Sequence, residues 1–217
     1  MKQEALRERL LLENDLLIVD AMAVAKGLSR PFLMADMPFM TYTSREQALQ
    51  NAVRLMQEGG ARMVKLESGS AQVDIVSFLA HHDIAVCAHL GLRPQSVHKT
   101  GGFRVQGREQ AAAERMIDEA QALEAAGADM LLLECIPAAL GKQVTEAVHV
   151  PVIGIGAGPD TDGQILVLYD ILDLTRGRKP RFVRNFMEGA ANPLAALEAY
   201  VNAVHDRSYP AAEHCFQ

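Results

Sequence analysis

Short apolar stretches recur along the chain, and each of them ends in a polar or glycine-rich tip. Continuous apolar runs of this length are typical of buried parallel strands. Five such stretches lie at residues 31–38, 63–69, 84–91, 130–137 and 150–158. Most of the segments between them are long enough to hold a helix. The pattern therefore predicts repeated βα units and an α/β fold.

Signals for helix starts and stops fall between these stretches. Thr43 to Glu46 has the sequence form of a capping box in front of a helix over 47–58, which Gly59 and Gly60 end. Further predicted elements are one or two amphipathic helices over 4–26, helices over 70–82, 108–126 and 138–148, and a strand over 164–169. The first of these has Leu6, Leu10, Leu17 and Val24 among its apolar positions.

The tips of the predicted strands carry side chains suited to catalysis. Asp36, Glu67, His89 and Glu134 each stand where a strand ends. In parallel α/β folds, ligands bind at the carboxyl ends of the strands. Three converging carboxylates raise one another's pKa, a cost that a hard divalent ion such as Mg²⁺ removes. We therefore expect the three acids to meet at one mouth, where a metal ion binds.

This set of residues predicts proton abstraction next to a carbonyl group. The cation polarises a keto acid, Lys65 offsets the developing negative charge, and Glu134 takes the proton. Two plainer interpretations stay open: the acids cap the helices that follow, or Lys65 pairs with Glu67 on the same strand face. His89 either orients a substrate or is a structural histidine. Cys135 neighbours Glu134 and is predicted to face the packing side of its strand.

Each of three loop segments has two or more roles that fit its sequence. The long segment 91–107 is a candidate lid over the strand tips. The glycines of 154–158 do not match a dinucleotide fingerprint, so close backbone packing is favoured over a phosphate cradle. The basic segment 176–184 is either simply solvated or holds an anionic tail of a substrate.

Composition narrows the class of protein. The 217 residues are 49 % hydrophobic and carry a net charge of −6, which predicts a large core and no attraction to nucleic acid or anionic membrane. The charged start, residues 1–10, lacks the apolar centre of a signal peptide. Three scattered cysteines do not make a disulfide framework, and a reducing cytoplasm is expected.

Seven motifs, in order, closely resemble ketopantoate hydroxymethyltransferase. They are Asp-Met-Pro-Phe-Met (36–40), Val-Lys-Leu-Glu (64–67), His-Leu-Gly-Leu-Arg-Pro-Gln-Ser-Val (89–97), Gly-Gly-Phe-Arg-Val-Gln-Gly-Arg (101–108), Leu-Leu-Glu-Cys-Ile-Pro (132–137), Pro-Val-Ile-Gly-Ile-Gly-Ala-Gly (151–158) and Thr-Asp-Gly-Gln-Ile-Leu-Val (161–167). The resemblance implies a (β/α)₈ TIM barrel of the phosphoenolpyruvate mutase and isocitrate lyase type. It also implies a homo-oligomer, which in the family is a decamer.

The resemblance further implies a reaction and a role for each site residue. The family transfers a hydroxymethyl group from 5,10-methylenetetrahydrofolate to 3-methyl-2-oxobutanoate, giving 2-dehydropantoate for pantothenate and coenzyme A. Asp36 and Glu67 match magnesium ligands, directly or through water, and Asp36 also lies at the keto acid. Lys65 matches a position that contacts the keto acid, His89 matches a substrate-binding position near it, and Glu134 matches the proton acceptor.

The amino end departs from the family pattern. Family members begin with two more βα units, one of them ending in a Gly-Asp-Ser that binds metal and substrate. We therefore expect one barrel domain over 1–217 that is incomplete at its amino end, with a divergent helix over 1–20. Three explanations fit this departure. The gene model is truncated or wrongly started, the chain is a natural variant completed by a partner subunit or by the new helix, or it is a remnant kept for assembly rather than catalysis.

Activity is expected to suffer from the missing ligands. The chain alone is predicted to show little or no transferase activity. Loss of residues that only support the metal ligands already lowers metal affinity or activity by about 10- to 100-fold, and here a ligand itself is missing. The alternative to an enzyme is an impaired family member that serves as an oligomer component. A different metal-dependent lyase of the same superfamily is a third interpretation, against which the intact motif at 101–108 argues.

Overall fold

The computed structural model describes the backbone of residues 2–217 and the side chains of 15–99 and 101–217. The strands in this part of the chain are β1 (Met34–Asp36), β2 (Met63–Glu67), β3 (Val86–Gly91), β4 (Met130–Glu134), β5 (Val152–Ile155) and β6 (Gly163–Gln164). The helices are α1 (Lys2–Gly27), α2 (Arg45–Gln57), α3 (Val73–Ala80), α4 (Val97–Thr100), α5 (Gln110–Ala125), α6 (Ala138–Ala147), α7 (Leu168–Ile171) and α8 (Pro193–His205). The chain forms two compact units, residues 1–89 with 122–130 and residues 90–121 with 131–217.

The first unit is built on three parallel strands. β2 pairs with β1 on one side and with β3 on the other, which sets Asp36 opposite Lys65 and Glu67 opposite His89. Asp129 closes this unit by donating its backbone N–H to the Val86 carbonyl while its carboxylate accepts the Val86 N–H, both at 2.9 Å. Because paired residues of neighbouring strands share a face, the register decides which site residues meet.

Helix α2 begins at Arg45, two residues earlier than predicted, and its N-cap lies one residue later than the predicted capping box places it. The N-cap is Ser44, whose Oγ accepts the Gln47 N–H at 3.2 Å, so the predicted box over Thr43 to Glu46 is wrong by one position. Gln47 completes the cap by accepting the Thr43 N–H at 3.0 Å and the Thr43 hydroxyl at 2.6 Å. Either threonine or serine can cap a helix, and the local sequence alone did not decide between them.

Helix α1 is one continuous helix rather than two, and it is less clearly amphipathic than predicted. Ile18 and Ala21 are buried, and Ala21 faces Gly59 at the end of α2. Val24, predicted as an apolar-face residue, is 50 % exposed. Leu6 and Leu10 lie outside the described side chains. Large apolar residues also face outwards elsewhere on the helix, at Leu16, Val19 and Met22.

The second unit contains the parallel strands β4, β5 and β6. Leu131 pairs with Val152, and Ile153 pairs with Gly163. The strand predicted over 164–169 is wrong in its extent, because β6 ends at Gln164 and α7 begins at Leu168. Helix α6 lies almost as predicted. Helix α8 covers a small core of Ile171, Phe186, Ala196, Ala203 and Tyr209.

The predicted fold class is confirmed. Helices alternate with parallel strands that follow one another in chain order, as an incomplete (β/α)₈ barrel requires. The predicted domain bounds, 1–217 with a divergent segment over 1–20, stay predictions. Within the described part of the chain, none of the helices combines the length and apolar character needed to cross a membrane.

Candidate active site

Lys65 is the centre of the polar cluster at the strand ends of the first unit. Its Nζ lies 2.8 Å from Asp36 Oδ1 on β1 and 3.4 Å from His89 Nδ1 on β3. Lys65 has only N–H donors, so His89 accepts through an unprotonated Nδ1 in this contact. The register of β1 to β3 therefore brings together three of the residues that the sequence predicts for the site.

Burial differs sharply across this cluster. The side chain of Lys65 is 15 % exposed and that of Asp36 is 55 % exposed. His89 and Glu67 are buried. An ammonium that is largely removed from water needs hydrogen bonds or an opposite charge, and Asp36 and His89 supply those contacts. The cluster thus holds the Lys65 ammonium in place, with the solvent-facing carboxylate of Asp36 at its edge.

Glu67 lies in the same cluster by virtue of its strand. It is two residues after Lys65 on β2, so both side chains leave the strand on one face, and its register partner is His89. Lys65 also contacts Asp36 on the neighbouring strand. The alternative in which Lys65 pairs with Glu67 stays a prediction.

Cys87 is a site neighbour that the sequence reasoning missed. It pairs with Lys65 across β2 and β3. Burial raises the pKa of its thiol to about 12, with Lys65 acting to lower the pKa and Asp36 to raise it. The thiol is therefore protonated at neutral pH and is a packing group rather than a nucleophile. The sequence does contain a signal for this position: Cys87 lies two residues before His89 on one strand, so the two side chains share a face.

Glu134 belongs to the second unit, where it ends β4 and is half-buried. The chain turns sharply after it, because Cys135 has a positive φ of 53°. The Glu134 carbonyl accepts the Leu92 N–H at 2.8 Å. Gly91 has a φ of 91°, and a Cβ there would collide with the same carbonyl oxygen. The meeting of Glu134 with Asp36 and Glu67 at one mouth stays a prediction.

Cys135 packs as the sequence predicts. It is buried, and burial raises the pKa of its thiol to about 11, with the nearby charge of Glu134 raising it further and Arg108 lowering it. Its carbonyl accepts the Gln106 N–H at 3.0 Å, which ties the long segment 91–107 to the exit of β4. The lid role of that segment stays a prediction.

The glycines after β5 are used for close packing. A Cβ at Gly156 would strike the ring of Phe182, and one at Gly158 would strike Ala138 at the start of α6. These contacts favour the packing interpretation over the phosphate cradle.

The carboxylates present fit a hard divalent cation in chemistry and in number. Among the residues that the structure describes, no three His, Cys, Asp or Glu side chains come together as metal ligands. Mg²⁺ needs only one or two carboxylates, because water and substrate oxygens complete its shell. Asp36 and Glu67, oxygen donors on one face of neighbouring strands, provide that pair.

Comparison with known proteins identifies the family. The family model for ketopantoate hydroxymethyltransferase matches residues 4–212, nearly the whole chain. The chain belongs to the ketopantoate hydroxymethyltransferase family. The match begins inside α1, and it includes every residue predicted for the site.

Curated members of this family are similar at high identity. A 3-methyl-2-oxobutanoate hydroxymethyltransferase of Alkalilimnicola ehrlichii is 62 % identical over 184 residues, which cover 85 % of this chain and 66 % of that protein. Proteins of the same name from Nitrosococcus oceani and Halorhodospira halophila are 54 % and 55 % identical, covering 88 % and 94 % of this chain and 72 % and 74 % of theirs. The predicted family and its transferase class are confirmed.

Similarity to solved structures is weaker. An N-(5'-phosphoribosyl)anthranilate isomerase from Pyrococcus furiosus aligns over 87 % of this chain and 80 % of its own, at 13 % identity and a TM-score of 0.48. The fold assignment rests on the strand pairing described above.

Proposed function

We propose that this chain transfers a hydroxymethyl group from 5,10-methylenetetrahydrofolate to 3-methyl-2-oxobutanoate. The product, 2-dehydropantoate, leads to pantothenate and coenzyme A. The observation that carries the proposal is the half-buried ammonium of Lys65, fixed between Asp36 and His89 at the carboxyl ends of three parallel strands. The chain's family uses methylenetetrahydrofolate as the one-carbon donor. The positive charge of Lys65 suits the negative charge that develops on the keto acid in that family's reaction.

The fixed ammonium suits a keto acid that becomes an enolate. Removing the proton at C3 of 3-methyl-2-oxobutanoate shifts negative charge to the ketone oxygen. A positive charge held in place before the reaction stabilises that charge without reorganising at the moment of transfer. We assign Lys65 to this role, and His89 and Asp36 to holding its ammonium in position.

Glu134 is proposed as the base that starts the reaction. Its carboxylate forms a new O–H bond as the C3–H bond breaks, and the electron pair moves into the enolate. In the net transfer C3 bonds to the methylene carbon of the folate, whose two C–N bonds break, and water supplies the hydroxyl group. The proton taken by Glu134 and the remaining proton of water go to the two nitrogens of the departing tetrahydrofolate. Support for this role comes from the position of Glu134 at the strand end and its partial burial.

Asp36 and Glu67 are proposed to hold Mg²⁺. When bound, the ion would polarise the ketone of the substrate as a Lewis acid. The choice of Mg²⁺ over softer metals rests on the oxygen donors of the pair. We also propose that the protein acts in the cytoplasm and forms a homo-oligomer, which in the family is a decamer. Three free thiols agree with a reducing compartment.

Replacing Lys65 tests the proposal directly. Lys65→Met keeps the aliphatic stem and removes the charge, so we expect kcat/KM for 3-methyl-2-oxobutanoate to fall by about 100- to 1000-fold, as when a preorganised donor is lost. Formation of 2-dehydropantoate, followed by NMR with folate and Mg²⁺, is the measurement.

The matched control is Lys26→Met, which removes an exposed ammonium from the same unit. It should leave kcat/KM unchanged. A Lys65→Met enzyme as active as the control would remove the basis of the proposal. An inert parent protein, shown by circular dichroism to be folded, would favour the oligomer component.

A further inference from the structure

We propose that the basic segment, residues 176–184, binds the carboxylates of the glutamate tail of the folate substrate. This inference rests on the proposed function and assigns to it a binding site outside the Lys65 cluster. The segment Arg-Gly-Arg-Lys-Pro-Arg-Phe-Val-Arg carries five cations in nine positions, in a chain whose net charge is −6. A local excess of positive charge on an acidic protein selects for an anionic ligand at that place.

The arginines of the segment face solvent, whereas Phe182 within it and Phe186, two residues after it, are buried. Arg176 and Arg178 are exposed, whereas Lys179 forms an ion pair with Asp173. Phe182 and Phe186 are 5 % and 4 % exposed. The segment therefore shows the division expected of a binding loop, in which buried anchors fix the backbone and charged groups stay available to a ligand.

The buried anchors hold the segment in one place. The Phe182 ring packs on Gly156, and the Phe182 carbonyl accepts the Tyr209 hydroxyl at 2.5 Å. The Phe186 ring makes edge contacts with Tyr200 and Tyr209, at centroid distances of 5.4 and 5.5 Å. A segment fixed in this way loses less conformational freedom on binding than a free loop would.

The place where it is held is the carboxyl end of the strands. Gly156 directly follows β5, and its carbonyl accepts the N–H of Ile136, two residues after Glu134, at 3.1 Å. Arg181 lies over the Phe216 ring at 5.9 Å, and the Phe216 carbonyl accepts the N–H of Ala138 at the start of α6. The basic segment thus sits beside the exit of β4, at the end of the strands where ligands bind in parallel α/β folds.

The chemistry of the cations points to carboxylates. Arginine presents a planar fork of donors that matches a carboxylate with two parallel hydrogen bonds. The pterin ring of a folate carries no such group, whereas each glutamate of its tail adds one. Each exposed ion pair of this kind contributes little binding free energy, and several of them add up. The affinity for the folate should therefore rise with the number of glutamates in its tail.

The experiment compares tail lengths in equilibrium binding. The dissociation constants of tetrahydrofolate with one glutamate and with three are measured by calorimetry on the full chain at low salt. Two added carboxylates that meet exposed arginines should tighten binding by about 3- to 30-fold. The preference for three glutamates should shrink as salt is raised, because exposed charges are screened.

The variant Arg176→Gln/Arg178→Gln should lose most of the preference while still binding the one-glutamate form. These two positions are chosen because Arg181 and Arg184 also stack on Phe216 and Phe186, so that replacing them would disturb packing. The control Arg62→Gln/Arg115→Gln removes the same charge from exposed positions elsewhere and should keep the preference.

Equal affinity for both tails in the parent chain would overturn the inference, as would a preference that survives in the Arg176 and Arg178 variant. Exchange of the C3 proton of 3-methyl-2-oxobutanoate, measured without folate, tests the proposed function separately from the proposed tail-binding site. Exchange without a tail preference leaves the proposed function standing and removes the tail site. Absence of exchange together with absence of folate binding removes both.

Discussion

At the scale of single residues, the chemistry of Lys65 is set by what lies on the strands beside it. The two-residue spacing of Lys65 and Glu67 predicts that they share a face, and the strand β2 places them so. The contact of Lys65 with Asp36 was not predictable, because it depends on the register between two strands separated by a helix. Spacing along one strand is local information, whereas pairing between strands is decided by packing of the whole unit.

Gly91 is the residue whose replacement should most clearly disturb the β4 tip. Its positive φ and its contact with the Glu134 carbonyl both exclude a side chain. We expect Gly91→Ala to lower the free energy of unfolding by about 2 to 5 kcal/mol, since strain of the left-handed backbone adds to a steric collision. Urea denaturation is the measurement.

Gly101→Ala is the matched control for this change. Gly101 also has a positive φ, 72°, but a Cβ there would meet nothing within 4 Å. It should cost about 1 to 2 kcal/mol, the backbone strain alone. Equal losses for the two variants would show that the approach of Gly91 to Glu134 is not a tight one.

At the scale of elements, the sequence predicts the long, strongly patterned segments well and the short ones poorly. Helix α6 and the stop of α5 at Gly127 follow from local signals that the fold does not override. Strand β6 is only two residues long, and the apolar residues after it turn into α7. An apolar run of five or six residues fits a short helix and a strand equally, so pattern alone could not separate them.

The C-terminal turn Ala212–His214 provides a prediction for pH. His214 is buried against Tyr209, its Nδ1 accepts the Ala211 N–H at 3.0 Å, and burial lowers its pKa below the usual 6.5. Between the lowered pKa and 6.5 the unfolded chain binds more protons than the folded one. The contribution of His214 is therefore complete above about pH 6.5 and is lost as the pH falls below it.

We expect the urea midpoint of the parent chain to fall between pH 7.5 and pH 5.5 by more than that of His214→Gln, which offers a neutral acceptor at this position. His205→Gln removes an exposed histidine and should keep the pH dependence of the parent. A His214→Gln protein with an unchanged pH dependence would show that this histidine is not held neutral by the fold.

At the scale of the whole molecule, the family and the class of fold were readable from sequence because seven motifs keep their order and six of them overlap a strand or its carboxyl end. The direct test of the account is whether these tips work together on the keto acid. Exchange of the C3 proton of 3-methyl-2-oxobutanoate in D₂O isolates the first step, since it needs the base and the charge that stabilises the enolate but no folate.

The measurement follows this exchange by NMR with Mg²⁺ present, for the parent chain and for Glu134→Gln. Glutamine keeps the shape of the side chain and cannot accept the proton. The account predicts exchange that depends on Mg²⁺ and disappears in Glu134→Gln. Exchange at the buffer rate in a folded parent chain, or exchange that continues unchanged in Glu134→Gln, would contradict it.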